Sequence, residues 1–180
     1  MKFQLKNSRT GESCYEFKTE VDVEFTDKEI VFQFYCKNSK FYSASNEYNG
    51  PIFDGDVCEV FICIGDDRNT YYEIEVAPNG VEFLYKMTFQ GVEESGMPIL
   101  IEEPIKESFL NSKVELLGND YTVKFSVPLD RVCYDKERGV MLNIFRIETE
   151  GGFTDKNLLA LNPTMCNFFH RPNKFVELNK

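Results

Sequence analysis

Hydrophobic and polar residues alternate along most of this chain with the two-residue period of half-buried β-strands. In EVDVEF, Val21, Val23 and Phe25 alternate with acids. After the turn TDKE the run EIVFQFYC continues the period with Ile30, Phe32, Phe34 and Cys36, which predicts a hairpin. Residues 37–55, rich in Asn, Ser, Gly and Tyr, make a connection longer than most in compact domains; such loops are usually functional or disordered. A near-continuous apolar strand follows from Val57 to Ile64, then the polar turn GDDRN. In YYEIEVA, Tyr72, Ile74 and Val76 share one face and Tyr71, Glu73 and Glu75 the other, before PNG turns the chain into VEFLYKM as a second hairpin. Residues 88–112 are weakly patterned and interrupted by Pro98 and Pro104, so only short extended pieces are expected there. VELLGNDYTVKFSV predicts two strands around a GND turn, and PLDRVCY, opening on Pro128, suits a single helical turn. GVMLNIFRIETE is a further strand before the Gly151-Gly152 turn. Short strands at this spacing with minimal helix predict an all-β chain, an antiparallel β-sandwich of jelly-roll type.

One stretch departs from simple patterning. NEYNGPIFDGDVCEVFICI, residues 46–64, opens on a Gly-Pro turn, passes Phe53, sets Asp54, Asp56 and Glu59 close together and ends as an apolar strand. Strand alternation puts Val57, Glu59 and Phe61 on one face and Cys58, Val60 and Ile62 on the other. Glu59 is therefore a carboxylate planted in an apolar strand. It reads either as an acid at a solvated strand end or as a ligand-facing group beside an aromatic platform.

Composition narrows the field. With 180 residues, 42% of them apolar and 14% aromatic, one core over residues 1–180 is expected. A net charge of -10 argues against nucleic acid and against an anionic membrane surface, both of which reward basic patches. The N-terminus MKFQLKNSRTGES lacks an apolar run of signal-peptide length, and no segment reaches the roughly eighteen apolar residues of a membrane span, so a cytoplasmic protein is expected. The six cysteines, Cys14, Cys36, Cys58, Cys63, Cys133 and Cys166, are then expected to be reduced, and none forms a CxxC pair.

The phrases GPIFDGDVCEVFI, YYEIEVAPNG, YTVKFSVPL, NIFRIE and the closing ALNPT with FHRPNKFVEL together resemble the family 9 carbohydrate-binding modules, in order, from about residue 20 to the C-terminus. The resemblance implies a β-sandwich that clamps a mono-, oligo- or polysaccharide ring between two aromatics while carboxylates and amides take its hydroxyls. By position the clamp falls on Phe53 and Phe169. Better-known members carry tryptophan at both places, and this chain has none. A phenylalanine offers a smaller face and no indole N–H. The family's binding glutamate falls on Glu59. Its binding arginine on the next strand falls on Glu73, which implies a different hydroxyl pattern.

Other residues join the candidates. Arg146 could bond sugar hydroxyls, or pair with Glu73 or Glu59 to neutralise that face. His170 and Arg171 sit in FHRP, where Pro172 holds its predecessor extended. The lone histidine has no GxSxG-type nucleophile motif to serve, which favours a hydrogen-bonding role. Asn162 and Asn167 could each offer an amide. Glu59 with Glu73, or with Asp56, could alternatively serve a glycoside hydrolase. A third reading is an interaction module whose aromatic cleft has lost sugar binding. No cofactor is required, although the acids at 54–56 or 65–67 could hold a structural calcium, as members of the family do.

Overall fold

The computed structural model describes residues 1–152 and 156–179. Thirteen strands account for its regular structure: β1 (Lys2–Gln4), β2 (Lys6–Asn7), β3 (Thr19–Phe25), β4 (Glu29–Cys36), β5 (Val57–Cys63), β6 (Thr70–Val76), β7 (Glu82–Val92), β8 (Pro98–Pro104), β9 (Asn111–Leu117), β10 (Asp120–Pro128), β11 (Val140–Glu148), β12 (Asn157–Ala160) and β13 (Val176–Leu178). Helix among the described residues is confined to three 3-10 turns, Ile52–Asp54, Leu129–Arg131 and Pro172–Lys174. Two antiparallel sheets form a β-sandwich. One has the order β1-β3-β4-β10-β9; the other runs β2-β12-β11-β5-β6-β7-β8, with β13 pairing β11.

The alternation read from the sequence decides what lies between the sheets. Val21, Val23, Ile30, Phe32, Phe34, Val123 and Phe125 from the first sheet meet Cys58, Val60, Ile62, Ile74, Val76, Leu142 and Ile144 from the second. The expected strand pairs at 21–36 and 114–127 form with the registers Val23↔Phe32 and Val123↔Val114. Leu129–Arg131 supplies the single turn expected after Pro128.

Residues 88–112 differ from expectation. β7 runs on to Val92 and pairs in register with β8, whose two ends are Pro98 and Pro104. A proline is tolerated there because β8 is the edge strand, so a missing N–H breaks no ladder on its outer side. The pairing also contains a bulge between Phe89 and Gly91, with Gly91 at φ 137°, which masks the two-residue period.

The outer face of the larger sheet is also largely apolar. Val57, Phe61, Cys63, Tyr71, Phe83, Met87, Phe145 and Ile147 form a second apolar layer, capped by Phe169 and Phe175 from the chain's closing segment. The β5 burial pattern therefore reads as buried throughout, which is why its sequence is apolar at every position but Glu59.

Candidate functional site

Register builds the site on that outer face. Glu59 of β5 lies opposite Phe145 of β11 on one side and Glu75 of β6 on the other, and Glu75 in turn faces Phe83 of β7. The neighbouring row is Asn143, Phe61, Glu73 and Tyr85. The next is Cys63, Tyr71, Met87 and Glu102. Three glutamates thus stand in an aromatic field, and one carboxylate oxygen from each of Glu59, Glu73 and Glu75 lies within 4.8 Å of the others.

The closing segment covers part of this face. Phe169 stacks on Phe145 with centroids 4.1 Å apart, His170 stacks on Phe61 at 4.8 Å, and Phe175 meets Tyr71 edge-on. Asn143 fixes the start of the segment by donating to the Asn162 carbonyl and accepting from the Asn162 N–H. Asn162 itself donates to the Lys174 carbonyl, and Arg171 to the Gly96 carbonyl. The remainder of the face is an open cleft of about 360 Å³. Phe53 stands at its rim, edge-on to Phe83, which stacks flat against Tyr85. Arg9, Lys156, Asn167, Phe168 and Glu102 complete the lining.

Of the residues expected from sequence, Phe53, Glu59, Glu73, Phe169 and His170 line the cleft, and Arg146, Asn162 and Arg171 do not. Arg146 sits beside Cys58 on the inner face, because β11 turns Phe145 outward and its neighbours inward. Its partner is Glu148, not Glu59 or Glu73, and it also donates to Thr19 Oγ1 and to the carbonyls of Phe17 and Lys37. Phe53 is 37% exposed and Phe169 only 7%, so the two are unequal: an open wall and a floor already packed on its own neighbour. Glu75, Phe83, Phe168 and Met87 were not singled out as site residues. Glu75 had a readable signal, since it shares the outward face of YYEIEV with Glu73.

The expected acid clusters have other uses. Asp56 is buried and accepts from Ser39 Oγ, the Tyr42 N–H, and both the N–H and Oγ1 of Thr149. It pins the long loop to the residue that follows β11. Gly55 allows the close approach, since a Cβ there would stand 2.5 Å from the Tyr42 carbonyl oxygen. Asp54 pairs with Lys156, and Asp67 accepts two N–H groups within its own turn.

Electrostatics at the floor of the cleft are unusual. Both oxygens of Glu75 and Oε2 of Glu59 are buried without a hydrogen-bond partner. Burial, then repulsion from the adjacent acids, pushes the Glu59 and Glu75 carboxyls well above the ordinary range. Burial raises Glu73 to about 8. The His170 imidazole is lowered to about 4 by burial and by Arg171; its Nδ1 lies 2.8 Å from the Tyr71 hydroxyl. Its Nε2 stands 3.7 Å from Glu73, and the ring is neutral at pH 7. The floor thus sets carboxyls that resist ionisation beside an imidazole that resists protonation. Together they can donate to and accept from hydroxyls, or take up a cation by releasing protons.

No family model matches the chain. An extracellular protein of Arthroderma benhamiae is 27% identical over 175 residues, covering 89% of this chain and 78% of that protein. A candidate carbohydrate-binding protein from Bacteroides uniformis superposes with a TM-score of 0.75 at 14% identity, over 99% of this chain and 85% of that one. Two structures of a family 9 carbohydrate-binding module from Caldicellulosiruptor kristjanssonii superpose at 0.61. One, in complex with glucose, is 12% identical over 98% of this chain and 83% of that one. The other, in complex with cellotriose, is 11% identical over 99% and 81%. The β-sandwich described above is the fold of the family 9 carbohydrate-binding modules.

Proposed function

We propose that this protein binds a saccharide non-covalently in the cleft on the outer face of its larger sheet. The observation that carries this reading is the combination of exposed and buried aromatic rings with convergent carboxyls in one open concavity, on a fold shared with modules bound to glucose and cellotriose. A pyranose has an apolar C–H face and a rim of hydroxyls. The rings of Phe53, Phe83 and Phe169 suit the first, and Glu59, Glu73, Glu75 and Asn167 the second. Such a module would work in polysaccharide breakdown by holding the substrate near a separate catalyst.

The test is calorimetric titration with glucose, xylose and cello-oligosaccharides, beside a turnover assay on chromogenic glycosides. Phe53→Ala should weaken binding by about 1–3 kcal/mol, by analogy with stacking of bases on aromatics. The melting temperature should stay put, because Phe53 sits at the rim. Glu59→Gln should lose about 1.5–3 kcal/mol if the bound carboxyl is charged. Turnover abolished by Glu59→Gln would establish a glycoside hydrolase instead, and no binding to any sugar would leave an interaction module.

A further inference from the structure

Resting on that reading of the cleft, we infer that its preferred ligand is an amino sugar, a 2-amino-2-deoxyhexopyranose unit whose ammonium is received by Glu59, Glu73 and Glu75. The first ground is geometric. An ammonium has three N–H donors in tetrahedral array. With N–H···O lengths of about 2.8 Å, its three acceptors stand roughly 4.6 Å apart. The three glutamates offer one oxygen each, all within 4.8 Å of one another.

The second ground is the unpartnered state of these groups. Glu75 is fully buried with neither oxygen hydrogen-bonded, and Glu59 is 2% exposed with Oε2 unpaired. A buried acceptor left so costs free energy that a donor in the cleft would restore. The cations around the cleft, among the described residues, donate no hydrogen bond to these oxygens, and Lys156 acts on Glu59 and Glu75 as a nearby charge. Lys156 donates to Asp54 and the Phe53 carbonyl, Arg9 to Asn167 and the Lys156 carbonyl, and His170 is held neutral. Glu102 adds a fourth acid to the lining.

The third ground separates a sugar from a bare ion. A cleft of about 360 Å³ with Phe53, Phe83 and Phe169 around it is far larger than a metal ion needs, and its rings give a metal nothing. A pyranose uses both the rings and the acids. An ammonium seated among these buried carboxyls favours their charged form, so any proton a carboxyl holds leaves to solvent while the N–H bonds stay with nitrogen.

The experiment compares three β-1,4-linked disaccharides that differ only at C2: the glucosamine dimer, cellobiose and N,N′-diacetylchitobiose. Each is titrated calorimetrically into wild type and Glu75→Gln at pH 7, with melting curves showing that the variant is folded. The expected result is at least about ten-fold tighter binding of the glucosamine dimer than of the other two, a preference lost in Glu75→Gln, since hydrogen bonds to charged groups carry that much. Equal affinity for the glucosamine dimer and cellobiose overturns the inference and leaves saccharide binding standing. Preference for the acetylated dimer overturns it too. Binding of calcium chloride alone, lost in Glu75→Gln, would make the glutamates a metal site and sink the amine. If none of the three disaccharides binds and no glucan oligosaccharide does, the saccharide reading falls together with the inference.

Discussion

Replacing Arg146 by methionine tests whether the two faces of β11 divide structure from binding. The guanidinium is buried between the sheets, paired with Glu148, bonded to Thr19 and the Phe17 and Lys37 carbonyls, and placed 5.3 Å from the Tyr121 ring centre. Methionine fills similar volume but removes every one of these donors. It strands Glu148, which keeps the Ser39 hydroxyl and weak contacts from the Lys40 and Glu150 N–H groups at 3.4 and 3.3 Å. Breaking one partner out of a buried ion pair costs about 3–5 kcal/mol. In a chain of this length that lowers the melting temperature by roughly 6–20 °C. The double variant Arg146→Met with Glu148→Leu should recover most of the loss, because an apolar pair leaves no orphaned charge. Sugar affinity measured below the melting range should match wild type in both, since the cleft lies across the sheet. A single variant that melts like wild type yet binds sugar poorly would place Arg146 in the site and refute the assignment of faces.

Phe169→Ala should lower both stability and affinity, by about 3 kcal/mol in stability, because the ring is the cleft floor and is stacked on Phe145; a melt unchanged from wild type would show that the closing segment is held by its hydrogen bonds alone. Stability should fall as pH rises from 6.5 to 8. Glu73, raised to about 8, keeps a proton in the folded state that the unfolded chain has lost, so its contribution fades across that window by up to ~1.4 kcal/mol per pH unit. His170 has the opposite sign, lowered to about 4, and acts only below about pH 6.5, so thermal melts from pH 6.5 to 8 isolate the acids, and Glu73→Gln should make the slope shallower while Glu59 and Glu75 sustain the rest. All six cysteines should titrate as thiols after denaturation without reductant, Cys36 and Cys58 included although their sulfurs are 3.4 Å apart; a stoichiometric disulfide in mass spectrometry would contradict this.

Two-residue periodicity was enough to assign both sheets' inner faces and to turn Glu59, Glu73 and Glu75 outward, because each strand carries that information within itself. What it could not carry was register between strands far apart in sequence. Arg146 was grouped with the cleft acids because nothing local says that Phe145, one position away, is the residue opposite Glu59. The importance of Glu75 likewise depends on its standing directly across from Glu59 on the neighbouring strand. Asp56 looked like a metal ligand or a catalytic acid from its acidic surroundings, yet its function as a loop anchor rests on Thr149, ninety-three positions along the chain. The bulged pairing of β7 with β8 was invisible for a different reason: an edge strand bounded by prolines obeys the weak constraint of a single partner.

Strands β5, β6 and β11 bury acids on both faces of one sheet, and the contrast between the faces bears on what the outer set is for. On the inner face Glu148 has a guanidinium; on the outer face Glu75 stands beside Glu59 and Glu73 with no cation paired to it among the described residues. A fold under no other demand would place an apolar residue at position 75, in a row already holding Phe145 and Phe83. Glu75→Met should therefore stabilise the protein, since it removes an unsatisfied buried acid worth about 1–3 kcal/mol. That is a rise of roughly 2–12 °C in melting temperature, larger at pH 8 than at pH 6 because the acid it removes resists ionisation. The same variant should lose saccharide affinity, the trade expected where a strained or desolvated group serves a ligand. A Glu75→Met protein less stable than wild type at every pH would mean that the carboxyl is held by its neighbours as part of the packing, and the acid row would then be structural on both faces of the sheet.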